Sequence, residues 1–393
     1  MNNSVIVTGT RTPIGKFQGG LSNFKATDLG GVAIRGALDA AGLDGSAVDY
    51  VVFGQVIQAG QGQITARQAA SAAGVPMDVP AITINKVCLS GINAIHMADQ
   101  MIRLGEAEIV IAGGMESMTN APYLLPQARS GLRMGDSKVV DSMILDGLWC
   151  AFDMVHMGEG SDNVNSRLGL TREEQDEWSA RSHERAAAAA KDGKFAEEIT
   201  PVEVPQRKGD PVVVDADEGI RPGTTSESLS VLRPAFNKEG TITAGNASQI
   251  SDGSAAVVVM SRERAEALGL DPIAEIVSYG MVAGPDSSLH SQPSRAINQA
   301  LEKAGISVGD LDLIEINEAF AAVAIQSTKD LGVPEEIVNV NGGAVALGHP
   351  IGASGCRIVL TLAKELGRRG GGTGAAGICG GGGQGDAIII RTL

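Results

Sequence analysis

Two thiols, one imidazole and one side-chain amide stand where a chain could use them for covalent chemistry. Cys88 lies in Asn85-Lys86-Val87-Cys88-Leu89-Ser90-Gly91, after a strand-like run ending at Asn85 and before an apolar-periodic stretch from Leu89 to Leu104 that Gly105 closes. A thiol at a helix N-terminus feels exposed N–H groups and the positive end of the dipole, which favour thiolate and nucleophilic attack. The alternative reading is a small packed core cysteine. His349 sits between Gly348 and Pro350 in a glycine-rich turn, where Pro350 biases it away from helical geometry and the glycines allow close approach. It reads as a general base, or else as a loop imidazole bonded to a carbonyl. Cys379 ends an apolar run and opens Gly380-Gly381-Gly382-Gly383, whose unshielded N–H groups could cradle an anion or oxyanion. Asn317, at the end of Leu313 to Ile316, can point an amide into a crevice at a strand's carboxyl end or simply cap the helix that follows.

Other motifs fall away. The run from Gly380 to Gly385 satisfies GxGxxG, but a strand and then the end of the sequence follow, leaving no helix for a pyrophosphate. Gly9 to Lys16 has one residue too many for a phosphate loop, and Phe17 replaces the hydroxyl. The five histidines are scattered, so no metal site is expected. His96 reads as solvated or satisfied and His183 as part of an exposed Ala-rich helix, while Cys150 and Cys356 read as packing residues.

The elements that must position these groups come in duplicate. Ala37-Leu-Asp-Ala-Ala-Gly-Leu43 matches Ala300-Leu-Glu-Lys-Ala-Gly-Ile306 without a gap, and each copy continues into an apolar strand, Tyr50 to Phe53 or Leu313 to Ile316. Each reads as helix, glycine stop, turn, strand. A second strand follows in both halves, Ala81 to Asn85 or Ile337 to Asn341, then a helix and a third strand, Ile109 to Gly114 or Gly374 to Cys379. Alternating strands and helices predict an α/β fold with mostly parallel, face-covered sheets. Met118 to Ser248 differs in character: it holds both tryptophans and a solvent-facing helix that opens on a capping box at Thr171 to Glu174 and stops at Gly193. The expected organisation is 1–117 plus 249–270 as one half, 118–248 as an inserted loop domain, and 271–393 as the other half.

With 393 residues, 43% hydrophobic and 20% charged, the chain can bury more than one core. A net charge of −15 disfavours general nucleic-acid or anionic-membrane binding, though Arg129, Arg133, Lys138, Arg207, Lys208 and Arg221 could meet an anionic ligand locally. No apolar run approaches the roughly 20 residues that span a bilayer. Four cysteines without a CxxC pair point to a reducing compartment, and neither Met1 to Ser4 nor Arg391 to Leu393 reads as a targeting signal, so a cytoplasmic location is expected.

Four blocks then occur together and in order: Asn85 to Gly91, Asn317-Glu318-Ala319-Phe320-Ala321, Gly348-His349-Pro350-Ile351-Gly352-Ala353-Ser354-Gly355, and Cys379 to Gly382. Over nearly its whole length the chain resembles the thiolases, most closely their acetyl-CoA acetyltransferase branch. The resemblance implies a duplicated, layered α/β/α/β/α core with the loop domain between the halves. It implies that Cys88 is acylated, that His349 activates it, that Cys379 exchanges a proton with the substrate carbon, and that Asn317 acts through a held water. Oxyanion stabilisation would come from Asn317 with His349 in one step and from the backbone N–H groups of Cys88 and Gly381 in the other. Coenzyme A thioesters would be substrates, with no permanently bound cofactor, contacting Leu148, His156, Met157, Arg221, Ser228, Ser248, Ala319 and Phe320. His156-Met157 suits a short acyl pocket, whereas Pro285 to Pro293 lacks the methionine-glycine pair that helps line it in short-chain members. The resemblance also implies a homotetramer or homodimer. A degradative 3-ketoacyl-CoA thiolase for longer chains is the alternative, ahead of a non-catalytic lipid-binding relative; a ketoacyl synthase would pair its cysteine with two histidines.

Overall fold

The computed structural model describes residues 4–392; Met1 to Asn3 and Leu393, read above for targeting signals, lie outside them. The duplicated unit is present. Helices Ala26–Ala41 and Gln292–Ala304 both end on a left-handed glycine, Gly42 (φ 64°) and Gly305 (φ 69°), a conformation that costs glycine little. A short 3-10 turn then leads each into its strand, Tyr50–Gly54 or Leu313–Ile316.

The principal strands form one ten-stranded sheet, nine of them in an order that repeats and the tenth, Gly15–Lys16, pairing beside them with Ser251–Ser261. From the middle outward, the first half runs Ser4–Arg11, Ser251–Ser261, Ile109–Ser117, Tyr50–Gly54, Ala81–Ile84, and the second Ala274–Ala283, Gln384–Arg391, Thr373–Gly380, Leu313–Ile316. The halves are joined where Val5 and Ile6 pair with Glu275 and Ala274. The sheet is mixed, not mostly parallel. Tyr50–Gly54 is parallel to both neighbours and Leu313–Ile316 to Thr373–Gly380, but the other principal pairings are antiparallel. Parallel pairing survives among the strands linked through helices, whereas the tight turn from Gly380 to Gln384 forces a hairpin. The expected strand from Ile337 to Asn341 is reduced to one bridge, Val338 to Ile314. Asn339 turns left-handed (φ 48°), and its side-chain amide bonds both the N–H and the C=O of Ile316 at 2.8 Å, replacing the ladder with a side chain.

Helices Ser90–Arg103 and Ser354–Arg368 pack on each other and on strands of both halves, around Ile92, Ile95, Ile358, Val359 and Leu362. Ala26–Ala41 covers the outer face of the first half, and Gln292–Ala304 with Ala321–Leu331 covers that of the second. The result is the α/β/α/β/α layering. Among the described residues no helix is long and apolar enough to cross a membrane.

In the insert, helix Arg172–Lys191 carries the expected capping box, Thr171 Oγ1 accepting from Glu174 N at 3.2 Å and Glu174 Oε2 from Thr171 N at 2.9 Å. It is not solvent-facing throughout. Trp178, Ser182 and His183 are buried, with His183 Nδ1 accepting from Arg221 N at 3.2 Å. The polar residues that disguised this face are matched to a buried carboxylate. Glu318 accepts from Trp178 Nε1 (2.9 Å), Ser182 Oγ (2.8 Å), Asn339 Nδ2 (2.9 Å) and Val345 N (3.0 Å), pinning the insert to the second half. Glu318→Ala strands these donors in a dry site, each worth about 1–3 kcal/mol when unsatisfied. Thermal denaturation of this variant is expected to show a melting temperature lowered by several degrees; an unchanged midpoint would show that water replaces the carboxylate.

Candidate active site

Cys88 is held by a strained turn. Val87 adopts a left-handed conformation (φ 52°), which a β-branched residue keeps only when its surroundings impose it. Asn85 Oδ1 accepts from Val87 N at 3.0 Å, and Ser90 Oγ accepts from Lys86 N (2.8 Å) while donating to Val87 O (2.6 Å). Lys86 Nζ reaches both oxygens of Asp386 at 2.8 Å, and Tyr279 donates to the same carboxylate at 2.5 Å. The turn is thereby anchored to strand Gln384–Arg391.

Helix Ser90–Arg103 begins just after Cys88, but its dipole does not dominate the thiol. Burial pushes the Cys88 thiol up to about 12, and the charge of Glu116 adds to the rise. The backbone N–H groups of Cys88 and Gly381 act in the opposite direction, and Gly381 lies against the cysteine turn, where a methyl on it would stand 3.4 Å from Val87 Cγ1. Desolvation wins because the side chain is removed from water, with 4% exposure. His349 moves the other way: burial, then the charge of Arg357, push its imidazole down to about 3. Both groups are thus pushed toward their neutral forms, against the effect of the helix N-terminus read from the sequence.

The imidazole is oriented. Ser354 Oγ donates to Pro350 O at 3.0 Å, so it accepts from His349 Nδ1–H at 2.6 Å, leaving Nε2 as the basic nitrogen. Nε2 lies 3.5 Å from Asn317 Nδ2, while Asn317 Oδ1 is buried with no partner among the described residues. Cys379, at the end of Thr373–Gly380, is wholly buried and pushed well up by burial and then by the charge of Cys88; its strand end meets the cysteine turn, where a methyl on Gly380 would fall 2.6 Å from Leu89 Cγ. The turns carrying Cys88 and His349 also touch, since a methyl on Gly91 would lie 3.1 Å from Gly352 O.

The remaining site residues divide. Ser248 N donates to Ala319 O at 3.1 Å and Ala247 bridges Phe320, so Ser248, Ala319 and Phe320 share one wall. His156 Nδ1 accepts from Gly158 N at 3.1 Å, and its ring stacks on Phe236 at 4.5 Å. Met157 lines two cavities, about 580 Å³ beside Val87 and Gly381 and about 450 Å³ beside Leu289 and Ser287, which share Cys150, Met157 and Gly382. Leu148, half-buried, packs on the central core. Arg221 and Ser228 are exposed and line neither cavity; Ser228 is engaged in the capping box of helix Ser226–Ser230. Cys150 is no packing residue: half-buried at the cavity wall, its Sγ contacts Asp153 Oδ2 at 3.6 Å. Cys356 is buried as expected, and His96 stacks on Tyr279 at 3.8 Å. Sequence reading passed over Ser354, which the short step from His349 could have flagged, and Glu116, a lone carboxylate in the otherwise apolar strand Ile109–Ser117.

This arrangement is one that can support covalent acyl transfer through sulfur: a buried thiol on a constrained turn, an oriented imidazole on the turn that meets it, and a second thiol at a neighbouring strand end. The chain belongs to the thiolase family. Residues 4–263 match the thiolase N-terminal domain and residues 270–392 the thiolase C-terminal domain. A "Probable acetyl-CoA acetyltransferase" of Mycobacterium tuberculosis is 58% identical over 391 residues, covering 100% of both chains. An "Acetyl-CoA acetyltransferase" of Pseudomonas aeruginosa is 53% identical, covering 99% of each. The crystal structure of the Bacillus anthracis acetyl-CoA acetyltransferase superposes with a TM-score of 0.97 at 42% identity, covering 100% of this chain and 99% of that one.

The histidine assignment can be checked directly. With His349 pushed down to about 3, its imidazole should stay neutral, protonated on Nδ1, from pH 8 to pH 5 in nitrogen-resolved NMR. In Ser354→Ala the preference for that tautomer should weaken. Protonation of His349 near the ordinary histidine value would contradict the assignment.

Proposed function

We propose that this chain is an acetyl-CoA C-acetyltransferase, interconverting two acetyl-CoA with acetoacetyl-CoA and free CoA through an acyl-Cys88 intermediate. The observation that carries the proposal is the full-length likeness to acetyl-CoA acetyltransferases, joined to an oriented His349 imidazole on the turn that meets the Cys88 turn. The backbone N–H groups of Cys88 and Gly381 would take up the oxygen of the acyl-cysteine, each such donor contributing about 3 kcal/mol to lowering the barrier.

In the thiolysis direction His349 Nε2 takes the Cys88 proton as the sulfur attacks the 3-oxo carbon. The bond between carbons 2 and 3 breaks, and the departing enolate takes the Cys379 proton at carbon 2, releasing acetyl-CoA. Entering CoA gives its thiol proton to Cys379 and attacks the acyl-cysteine, and the freed Cys88 sulfur recovers its proton from His349. Condensation is the reverse, with ping-pong kinetics. The buried Asn317 Oδ1 supports its role through water, because it can accept from a water whose other hydrogen reaches the enolate oxygen. Coenzyme A would run past Leu148, His156, Met157, Ser248, Ala319 and Phe320, with Arg221 and Ser228 meeting its outer end. It is a substrate, and no permanent cofactor is part of the proposal.

The longer-chain reading has one specific support: Ser287, Ser288 and Leu289 line the 450 Å³ cavity beside Met157 and Gly382. Thiolysis rates on 3-oxoacyl-CoAs of increasing length separate the two readings. Acetoacetyl-CoA is expected to give the highest kcat/KM, and a maximum at longer chains would favour the degradative activity. A homodimer or homotetramer in the cytoplasm belongs to the same proposal. Strand Ala81–Ile84 is the sheet's edge, and Ile82 is exposed there, a surface that calls for pairing. Light scattering should give a multiple of the chain mass, whereas the monomer mass would contradict it.

A further inference from the structure

Glu116 is fully buried near the end of strand Ile109–Ser117, at 0% exposure. Among the described residues no lysine or arginine pairs with it; the charged group that acts on it is Asp252, of the same sign. Its partners are backbone N–H groups alone. Oε2 accepts from Val56 N and Gly352 N, both at 3.0 Å, and Oε1 accepts from Ile57 N at 3.1 Å. A carboxylate without a cation is an expensive way to stabilise a core, and an apolar side chain would serve better.

Its partners show what the position is for. Gly352 lies three residues beyond His349, in the turn that aims the imidazole. On the other side Val56 O accepts from Asn85 Nδ2 at 3.3 Å, and Asn85 Oδ1 accepts from Val87 N at 3.0 Å, fixing the strained residue directly before Cys88. A continuous strut thus runs from the histidine turn through Glu116, Val56 and Asn85 to the cysteine turn. Gly352 is confined to it: a methyl there would stand 3.0 Å from Glu116 Oε2 and 2.5 Å from Met115 O.

We propose that Glu116 is a positioning residue that sets the separation of Cys88 and His349 by bridging their two turns. The proposal rests on the thiolase reading for what those two groups do. A glutamine keeps the size of the side chain but turns an NH2 group on one of the three backbone N–H groups, so either the oxygen shared by Val56 and Gly352 or the Ile57 contact that holds the 56–57 turn is lost. Asn85→Ala breaks it at the other end, at an exposed position that does not threaten folding.

The test is a double-mutant cycle on acetoacetyl-CoA thiolysis, with melting temperatures measured in parallel and the wild type reporting separately on the thiolase activity itself. Glu116→Gln and Asn85→Ala should each lower kcat by about 10- to 100-fold, the scale of a small misplacement of reacting groups. KM should stay within about threefold of the wild type, because neither side chain holds coenzyme A in this reading. The double variant should be no slower than the worse single one, since one strut can be broken only once. Multiplied losses would overturn the proposal, as would a lowered melting temperature with unchanged kcat. Should Glu116→Gln fail to fold, Asn85→Ala alone decides: a fallen kcat with unchanged KM and melting temperature supports the strut, and an unchanged kcat overturns it.

Discussion

The contact on which the site depends is between two helix N-termini. Helices Ser90–Arg103 and Ser354–Arg368 meet backbone to backbone at Gly91 and Gly355. A methyl group on Gly91 would fall 2.7 Å from Cys356 N, and one on Gly355 would fall 2.4 Å from Ile92 N. Only glycine fits at either position. Because Cys88 precedes one helix and His349 the other, this contact brings together residues from opposite halves of a duplicated chain. The duplication extends to the serine before each glycine: Ser90 and Ser354 both donate to a carbonyl of their own turn. One winds the nucleophile's turn, and the other, after giving up its hydrogen, holds the imidazole.

Burial then decides the electrostatics. Burial pushes the Cys88 thiol up to about 12, which disfavours an isolated thiolate. The imidazole is displaced oppositely. Separate charges are unfavourable here, so in the proposed reaction the proton would move as sulfur attacks the carbonyl. The helix dipole, which acts through the first turn, is a smaller effect than removal from water.

Much of this was legible from the order of residues. The glycine stops at Gly42 and Gly305 and the matched segments around them revealed the duplication, because a left-handed cap is a local demand. Cys88, His349 and Asn317 were visible as polar residues at turns that lead into helices, and Cys379 at the strand end that opens the glycine hairpin. Non-local matching was not. Asn339 spends its amide in place of a strand, and the polar face of helix Arg172–Lys191 is buried against Glu318, arrangements that no periodicity encodes. Cys150 read as packing because its cavity is made by segments distant in sequence. Glu116 was hidden for the same reason, its three partners lying in two other turns.

The central claim is that the sulfur of residue 88 itself becomes the thioester. Rapid acid quench after mixing the chain with acetoacetyl-CoA, followed by peptide mass spectrometry, reads it without relying on turnover. One acetyl group is expected, on the peptide containing Cys88 and absent from that containing Cys379. An acetyl group carried by Cys379 instead, or an enzyme that turns over without ever acquiring one, would contradict the account.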